Sequence, residues 1–287
     1  DDLPSITTMF TTLFADDACL SSSHSSINKL EATVNQELTI VNKWMQANRL
    51  KPNVKKTNYM LIHKKRNTFP LFTVLLNKCQ ISRKTQIKYL GIILDQKLDW
   101  KPQINNVKNK LSKCLWAIFK IRPFVDTNTL KLLYYALAYS HLQYGITFWG
   151  AANKSALLPV ITKQKFLVRA ILFESYRTSS SPLFLELQLL NVNQIYKLKI
   201  GTLMHKTLNS SIVTPYKLTK TTDIHSYNTR SNNKNNFYLP NAKTNLSKQS
   251  LAYNCPSIWN NIPPEIRSLP FSLFKKHYKL HLLSFTT

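Results

Sequence analysis

Apolar and polar positions along the chain change period twice, and each change marks a different kind of element. Residues 6–20, ITTMFTTLFADDACL, are rich in β-branched and aromatic residues and interrupted by Ala15-Asp16-Asp17. That pattern predicts a hairpin: one strand through Phe14, a turn at the acidic pair, and a return through Leu20. The polar run Ser21–Ser26 offers N-caps for a helix. Ile27, Leu30, Val34, Leu38, Val41 and Met45 then recur at helical spacing, so one face is apolar, and the helix should end near Asn48, before Pro52. Two further strands are expected, Thr57–His63 and Lys88–Leu94, the second punctuated by Gly91. A basic hairpin-like stretch with Lys64, Lys65 and Arg66 lies between them.

Beyond Asp99-Trp100 the pattern becomes helical. Ile104, Val107, Leu111, Leu115 and Ile118 form a second stripe, ended by Pro123, with Lys108, Lys110, Lys113 and Lys120 on the same helix. Further helices are expected over residues 128–144 and 157–173, and helical pieces over 193–208 and 272–283. Residues 209–250 are rich in Asn, Ser, Thr and Lys and poor in acids, which suggests a loosely ordered or partner-dependent segment. The expected class is α+β: a strand-containing part over 1–100, a helical part over 101–175, and a basic C-terminal region over 176–287.

Charge sharpens this division. The chain carries 39 Lys+Arg against 13 Asp+Glu, a formal +26. Residues 1–100 hold 14 basic and 8 acidic side chains, a balance of +6, whereas 101–287 hold 25 and 5, a balance of +20. Such a field attracts polyanions and makes their binding salt-dependent, so nucleic acid is the partner it favours over a basic surface kept for solubility. Cys19, Cys79, Cys114 and Cys255 are scattered, without a CxxC pair or zinc spacing, so neither a zinc knuckle nor a disulfide framework is expected and a reduced, intracellular setting fits. No apolar run is long enough for a membrane span, and no membrane partner is expected.

Asp16 and Asp17 are the most informative candidates for chemistry. Adjacent carboxylates repel, and a divalent cation removes that cost. Mg²⁺ commonly uses one or two carboxylates plus substrate phosphates. An Asp-Asp pair in a turn is nevertheless common, so the dipeptide gains weight only from its surroundings.

Those surroundings carry a resemblance. Phe14-Ala15-Asp16-Asp17 is similar to the Tyr/Phe-Ala-Asp-Asp signature of reverse transcriptases. Trp44-Met45-Gln46-Ala47-Asn48-Arg49-Leu50, leading into Asn53-Val54-Lys55-Lys56-Thr57, resembles a palm segment of the non-LTR (LINE-type, jockey-like) retrotransposon branch. Tyr89-Leu90-Gly91-Ile92 with Asp95, Leu98 and Trp100 is similar to its primer-grip strand pair. His141-Leu142-Gln143-Tyr144-Gly145 and Trp149-Gly150 resemble part of the thumb. Tyr227-Asn228-Thr229-Arg230, Trp259-Asn260 and Ile262-Pro263-Pro264 resemble the tail of such reading frames.

The resemblance implies a partial palm, a helical thumb and a basic tail of an RNA-directed DNA polymerase. The implied reaction would add deoxynucleotides to a primer 3′-OH by two-metal phosphoryl transfer. Its partners would be an RNA template, a DNA primer and deoxynucleoside triphosphates, and its cofactor Mg²⁺. Asp16 and Asp17 would be catalytic metal ligands and Lys56 would neutralise phosphate charge. Tyr89, Leu90 and Gly91 would hold the primer end, and Lys108, Lys110 and Lys113 would contact phosphates. The residues themselves leave plainer readings open: a solvated Lys56, a buried strand with a glycine bulge at Gly91, and a solvated lysine face. Asp95 and Asp99 read as turn or capping residues.

The family's first metal-binding carboxylate, nucleotide-positioning segment and fingers lie upstream of Phe-Ala-Asp-Asp, and only fifteen residues precede Asp16 here. The chain is therefore expected to be a C-terminal fragment, inactive alone. The alternative is a catalytically dead basic remnant that binds RNA or DNA.

Overall fold

The computed structural model describes residues 2–63, 72–209, 216–224 and 235–284. The basic stretch at Lys64–Arg66 and the Tyr227–Arg230 motif lie outside the described residues. Two compact units emerge, Asp1–Leu98 and Asp99–Thr287.

In the first unit, a short helix α1 (Leu3–Ile6) precedes strands β1 (Phe10–Phe14) and β2 (Asp17–Ser21), which pair antiparallel. Helix α2 (Ile27–Ala47) follows, at the place its apolar spacing foretold. The expected strand over 57–63 shrinks to β3 (Asn58–Tyr59), which pairs in parallel with β6 (Ser82–Arg83). Between them β4 (Leu75–Leu76) and β5 (Cys79–Gln80) form a small hairpin. Its turn residues, Asn77 and Lys78, both have positive φ, 51° and 61°, as a type I′ turn requires.

The expected single strand over 88–94 is instead a hairpin of β7 (Gln86–Tyr89) and β8 (Ile92–Asp95). Leu90 (φ 45°) and Gly91 (φ 79°) occupy the turn. Gly91 is thus a turn glycine, not a bulge within one strand. A small core of Leu61, Phe72, Val74, Leu76 and Ile81 packs on the Ile27, Leu30, Val34 and Leu38 side of α2.

Glu37 lies on that same helical stripe and is buried. Its Oε2 accepts from the Thr7 hydroxyl at 2.6 Å and the Thr8 amide at 2.9 Å, and its Oε1 from the Thr8 hydroxyl at 2.7 Å. The Thr7 and Thr8 hydroxyls, then the Thr8 amide, hold its carboxyl below the usual carboxylate range, against the opposing effect of burial. This latch fixes the entry into β1 on α2. Asn35, two residues earlier, clasps the edge of β4: its Nδ2 donates to the Thr73 carbonyl at 2.9 Å and its Oδ1 accepts from the Leu75 amide at 2.8 Å.

The second unit is helical. Helix α3 (Lys101–Ile121) buries Ile104, Val107, Leu111, Cys114 and Ile118. A second long segment begins as α4 (Thr127–Leu133), capped by Asp126, passes through a π-helical stretch (Tyr134–Tyr139) and ends as α5 (Ser140–Gln143). Gly145, at φ 60°, turns the chain into α6 (Ile146–Trp149). Helices α7 (Lys154–Ile171), α8 (Ser180–Glu186) and α9 (Val192–Leu208) follow. The chain then runs through α10 (Asn245–Gln249), α11 (Leu251–Asn260), α12 (Pro264–Arg267) and α13 (Phe271–Ser284).

One continuous core crosses residue 175, joining Ile104 and Trp149 to Ile200, Trp259 and Phe274. Gln164, fully buried, is its polar hub. Its Nε2 donates to the Tyr134 hydroxyl at 2.8 Å and the Leu190 carbonyl at 2.9 Å, and its Oε1 accepts from the Val192 amide at 2.9 Å. Gln194 in α9 donates to the Leu282 carbonyl in α13 at 2.6 Å.

Parts of the Asn-rich segment pack as well. Lys220 and Phe237 form a β-bridge, and Asn260 exchanges two hydrogen bonds with the Phe237 backbone, at 2.9 and 2.7 Å. Trp259-Asn260 and Trp149-Gly150 are therefore structural here. At Gly150 a Cβ would sit 2.5 Å from both the Ile146 carbonyl oxygen and a Tyr196 ring carbon.

Candidate catalytic hairpin

The β1–β2 register pairs Phe14 with Asp17, leaving Ala15 and Asp16 as a two-residue turn. Ala15 takes φ 52° while Asp16 does not take positive φ, so only the first turn position is left-handed. Asp16 thus stands at the tip and Asp17 begins the return strand, both exposed. Directly opposed residues share a face, and alternation along β1 places Phe10, Thr12 and Phe14 together. Asp17 lies on that face with Cys19. Phe10 and Phe14 are 66% and 63% exposed, so the face presents aromatic surface beside the acidic tip.

The β7–β8 hairpin approaches the same face. The Tyr89 hydroxyl lies 3.2 Å from that of Thr12, within hydrogen-bonding distance. Tyr89 and Leu90 are half-buried, and Gly91 is exposed at the turn. The structure therefore brings Tyr89, Leu90 and Gly91 to the neighbourhood of the aspartate hairpin.

Lys56 lies in the turn between α2 and β3. It closes a turn in which its amide donates to the Asn53 carbonyl at 3.0 Å and to the Asn53 side chain at 3.2 Å. Its side chain is exposed and makes no hydrogen bond or ion pair among the described residues. Lys108 is half-buried on α3, while Lys110 and Lys113 are exposed. Asp95 accepts from the Lys97 amide at 3.1 Å, and Asp99 from the Lys101 amide at 3.1 Å, the turn roles expected of them.

Among the described residues no group of three His, Cys, Asp or Glu converges on a point that could hold a metal. An octahedral Mg²⁺ held by one or two carboxylates completes its shell with water and phosphate oxygens. Asp16 and Asp17 can supply that share of the ligands and no more. They fit as an open, partial metal site. Glu37 is the buried carboxylate that periodicity missed, and its role is structural. Its signal was present, a carboxylate one turn from Val34 and Val41 on the apolar stripe.

Among the described residues no helix is long and apolar enough to cross a membrane. The chain is 27% identical over 187 residues to a probable RNA-directed DNA polymerase from transposon BS of Drosophila melanogaster. The match covers 63% of this chain and 20% of that protein, so the chain spans about a fifth of its relative's length. No family model and no solved structure matches. The similarity supports a reverse-transcriptase-related origin.

Proposed function

We propose that this chain is part of an RNA-directed DNA polymerase of a LINE-type, jockey-like retrotransposon. The observation that carries the reading is the Phe-Ala-Asp-Asp hairpin, with its carboxylates at an exposed tip and the Tyr89 hairpin against its flank. The likeness to a transposon polymerase supports it. In this reading residues 1–100 are a partial palm, 101–175 belong to a thumb, and 176–287 extend it as a basic region.

Asp16 and Asp17 would hold Mg²⁺, which supplies charge neutralisation and activation of the primer 3′-hydroxyl when bound. Tyr89, Leu90 and Gly91 position the primer end beside the tip. Lys56 offsets triphosphate charge, and Lys108, Lys110 and Lys113 hold template–primer phosphates without reading sequence. The partners are an RNA template, a DNA primer and deoxynucleoside triphosphates.

Two neighbouring carboxylates do not by themselves complete a two-metal site, so the chain alone should not extend oligo(dT) on poly(rA) with Mg²⁺ and dTTP. In a longer polypeptide that supplies a further carboxylate-bearing strand, Asp16→Asn should abolish incorporation. Undiminished synthesis by that variant refutes the proposal.

A second reading is a catalytically silent nucleic-acid-binding remnant. It needs only the +20 balance of residues 101–287 and no metal chemistry at Asp16 and Asp17. The same longer polypeptide separates the two: the remnant binds template–primer but incorporates nothing. Both readings require affinity that falls steeply with salt.

A further inference from the structure

The end of α3 carries exposed aromatic rings that the polymerase reading does not use, beside two lysines that it does, Lys110 and Lys113. Its buried stripe, Ile104 to Ile118, faces the core. On the outer side Lys110, Lys113, Trp116 and Lys120 succeed one another at spacings of three, three and four, which keeps them on one flank of the helix. Trp116 is 66% exposed, and Phe124, just beyond the helix, is 83% exposed. Lys120 lies 5.8 Å from the centre of the Trp116 ring.

Arg122 follows at the helix end, between two rings. Its guanidinium carbon is 4.5 Å from the centre of Phe119 and 5.2 Å from that of Phe173, which lies just past the end of α7. A cation at a helix C-terminus is favourable by itself and accounts for Arg122. It does not account for a tryptophan and three phenylalanines left in water among cations.

Large exposed aromatic surface on a protein marks a binding site. Cations interleaved with aromatic rings match a ligand with both anionic and π-faced parts. Nucleobases in a duplex are stacked on one another and hidden, whereas those of a single strand are available to a ring.

We infer that the outer flank and end of α3, with Trp116, Phe119, Lys120, Arg122 and Phe173, form a stacking platform for single-stranded nucleic acid. Lys110 and Lys113 continue it as a phosphate track. The inference rests on the nucleic-acid reading above and adds to it a strand preference and a means of producing it; it requires no polymerase chemistry.

The test is binding of the full chain to a fluorescein-labelled oligo(U) of about a dozen nucleotides and to a blunt duplex of equal length, across a salt series. Trp116→Ala/Phe119→Ala should weaken oligo(U) binding roughly tenfold or more, leaving duplex binding and both salt slopes nearly unchanged. Lys110→Gln/Lys113→Gln should flatten the salt slope on both probes. Trp116→Phe should retain most of the oligo(U) affinity and Trp116→Leu should not, a comparison that decides the matter if the double alanine variant fails to fold.

Equal losses on both probes, or wild-type oligo(U) binding by the aromatic variants, overturn the platform alone. Failure of the unaltered chain to bind either probe overturns the nucleic-acid reading as well. A concentration-dependent dimer that Trp116→Ala/Phe119→Ala dissolves, with oligo(U) affinity unchanged, assigns the surface to a second copy of the chain and also overturns the platform.

Discussion

The hydroxyls of Thr12 and Tyr89 meet at 3.2 Å although 77 positions separate them in the chain. This contact joins the flank of the aspartate hairpin to the end of β7. The bond is exposed, so its contribution is modest. A double-mutant cycle with Thr12→Val and Tyr89→Phe should give a coupling of about 0.5–1 kcal/mol in urea unfolding. Strictly additive effects would show that the two hairpins are held together by something else.

Glu37 should make the first unit acid-sensitive. Its folded pKa is depressed by the Thr7 and Thr8 donors, so its stabilisation is fully present above the unfolded carboxylate pKa. It is lost as pH falls from about 4.3 through the lower folded value. Glu37→Gln should flatten that part of the stability–pH curve. Glu37→Ala, which leaves the Thr7 and Thr8 donors without their acceptor, should cost about 3 kcal/mol at neutral pH. An unchanged acid limb in Glu37→Gln would remove the latch from the account.

Gln164 should be among the most sensitive polar positions of the second unit. Gln164→Leu has a similar volume but leaves the Val192 amide and Leu190 carbonyl without the partner seen here. A loss of about 3–5 kcal/mol is expected in thermal or urea unfolding, because each orphaned buried group costs about 1–3 kcal/mol. A change below about 1 kcal/mol would mean that neighbours or water take over those bonds.

Gly150 has no room for a side chain. Gly150→Ala places a carbon against a backbone oxygen that cannot swing away, as well as against Tyr196. About 1–3 kcal/mol of destabilisation should follow, and Tyr196→Ala in the same background should recover little of it, since the backbone clash persists.

The long elements were legible wherever burial follows a single period. Ile104, Val107, Leu111 and Ile118 were placed on one face by spacing, and each is buried. Features governed by local hydrogen bonding or tertiary contact were not. The Asn77-Lys78 turn lacks glycine, and the π-helical stretch at Tyr134–Tyr139 has no marker that periodicity detects. Pro159 lies inside a helix that begins at Lys154, ahead of the expected start at residue 157, and Pro256 lies inside a helix that was not expected.

The site divided similarly. Asp16 at a hairpin tip followed from the break between two apolar runs. The approach of Tyr89 depends on how two distant hairpins meet, and no local pattern encodes that. The Asn-rich composition of 209–250 suggested loose order, yet Asn260 pins Phe237, because an amide side chain can substitute for a neighbouring strand.

The bond from Gln194 to the Leu282 carbonyl spans 88 positions and ends two residues before Ser284, the last residue of α13. The final helix is therefore a wall of the building and not an annex. Truncation within α13, ahead of Leu282, would remove that bond and open the aromatic interior around Phe274 and Tyr278 to solvent. A frameshift inside α13 would thus be felt by the whole helical body.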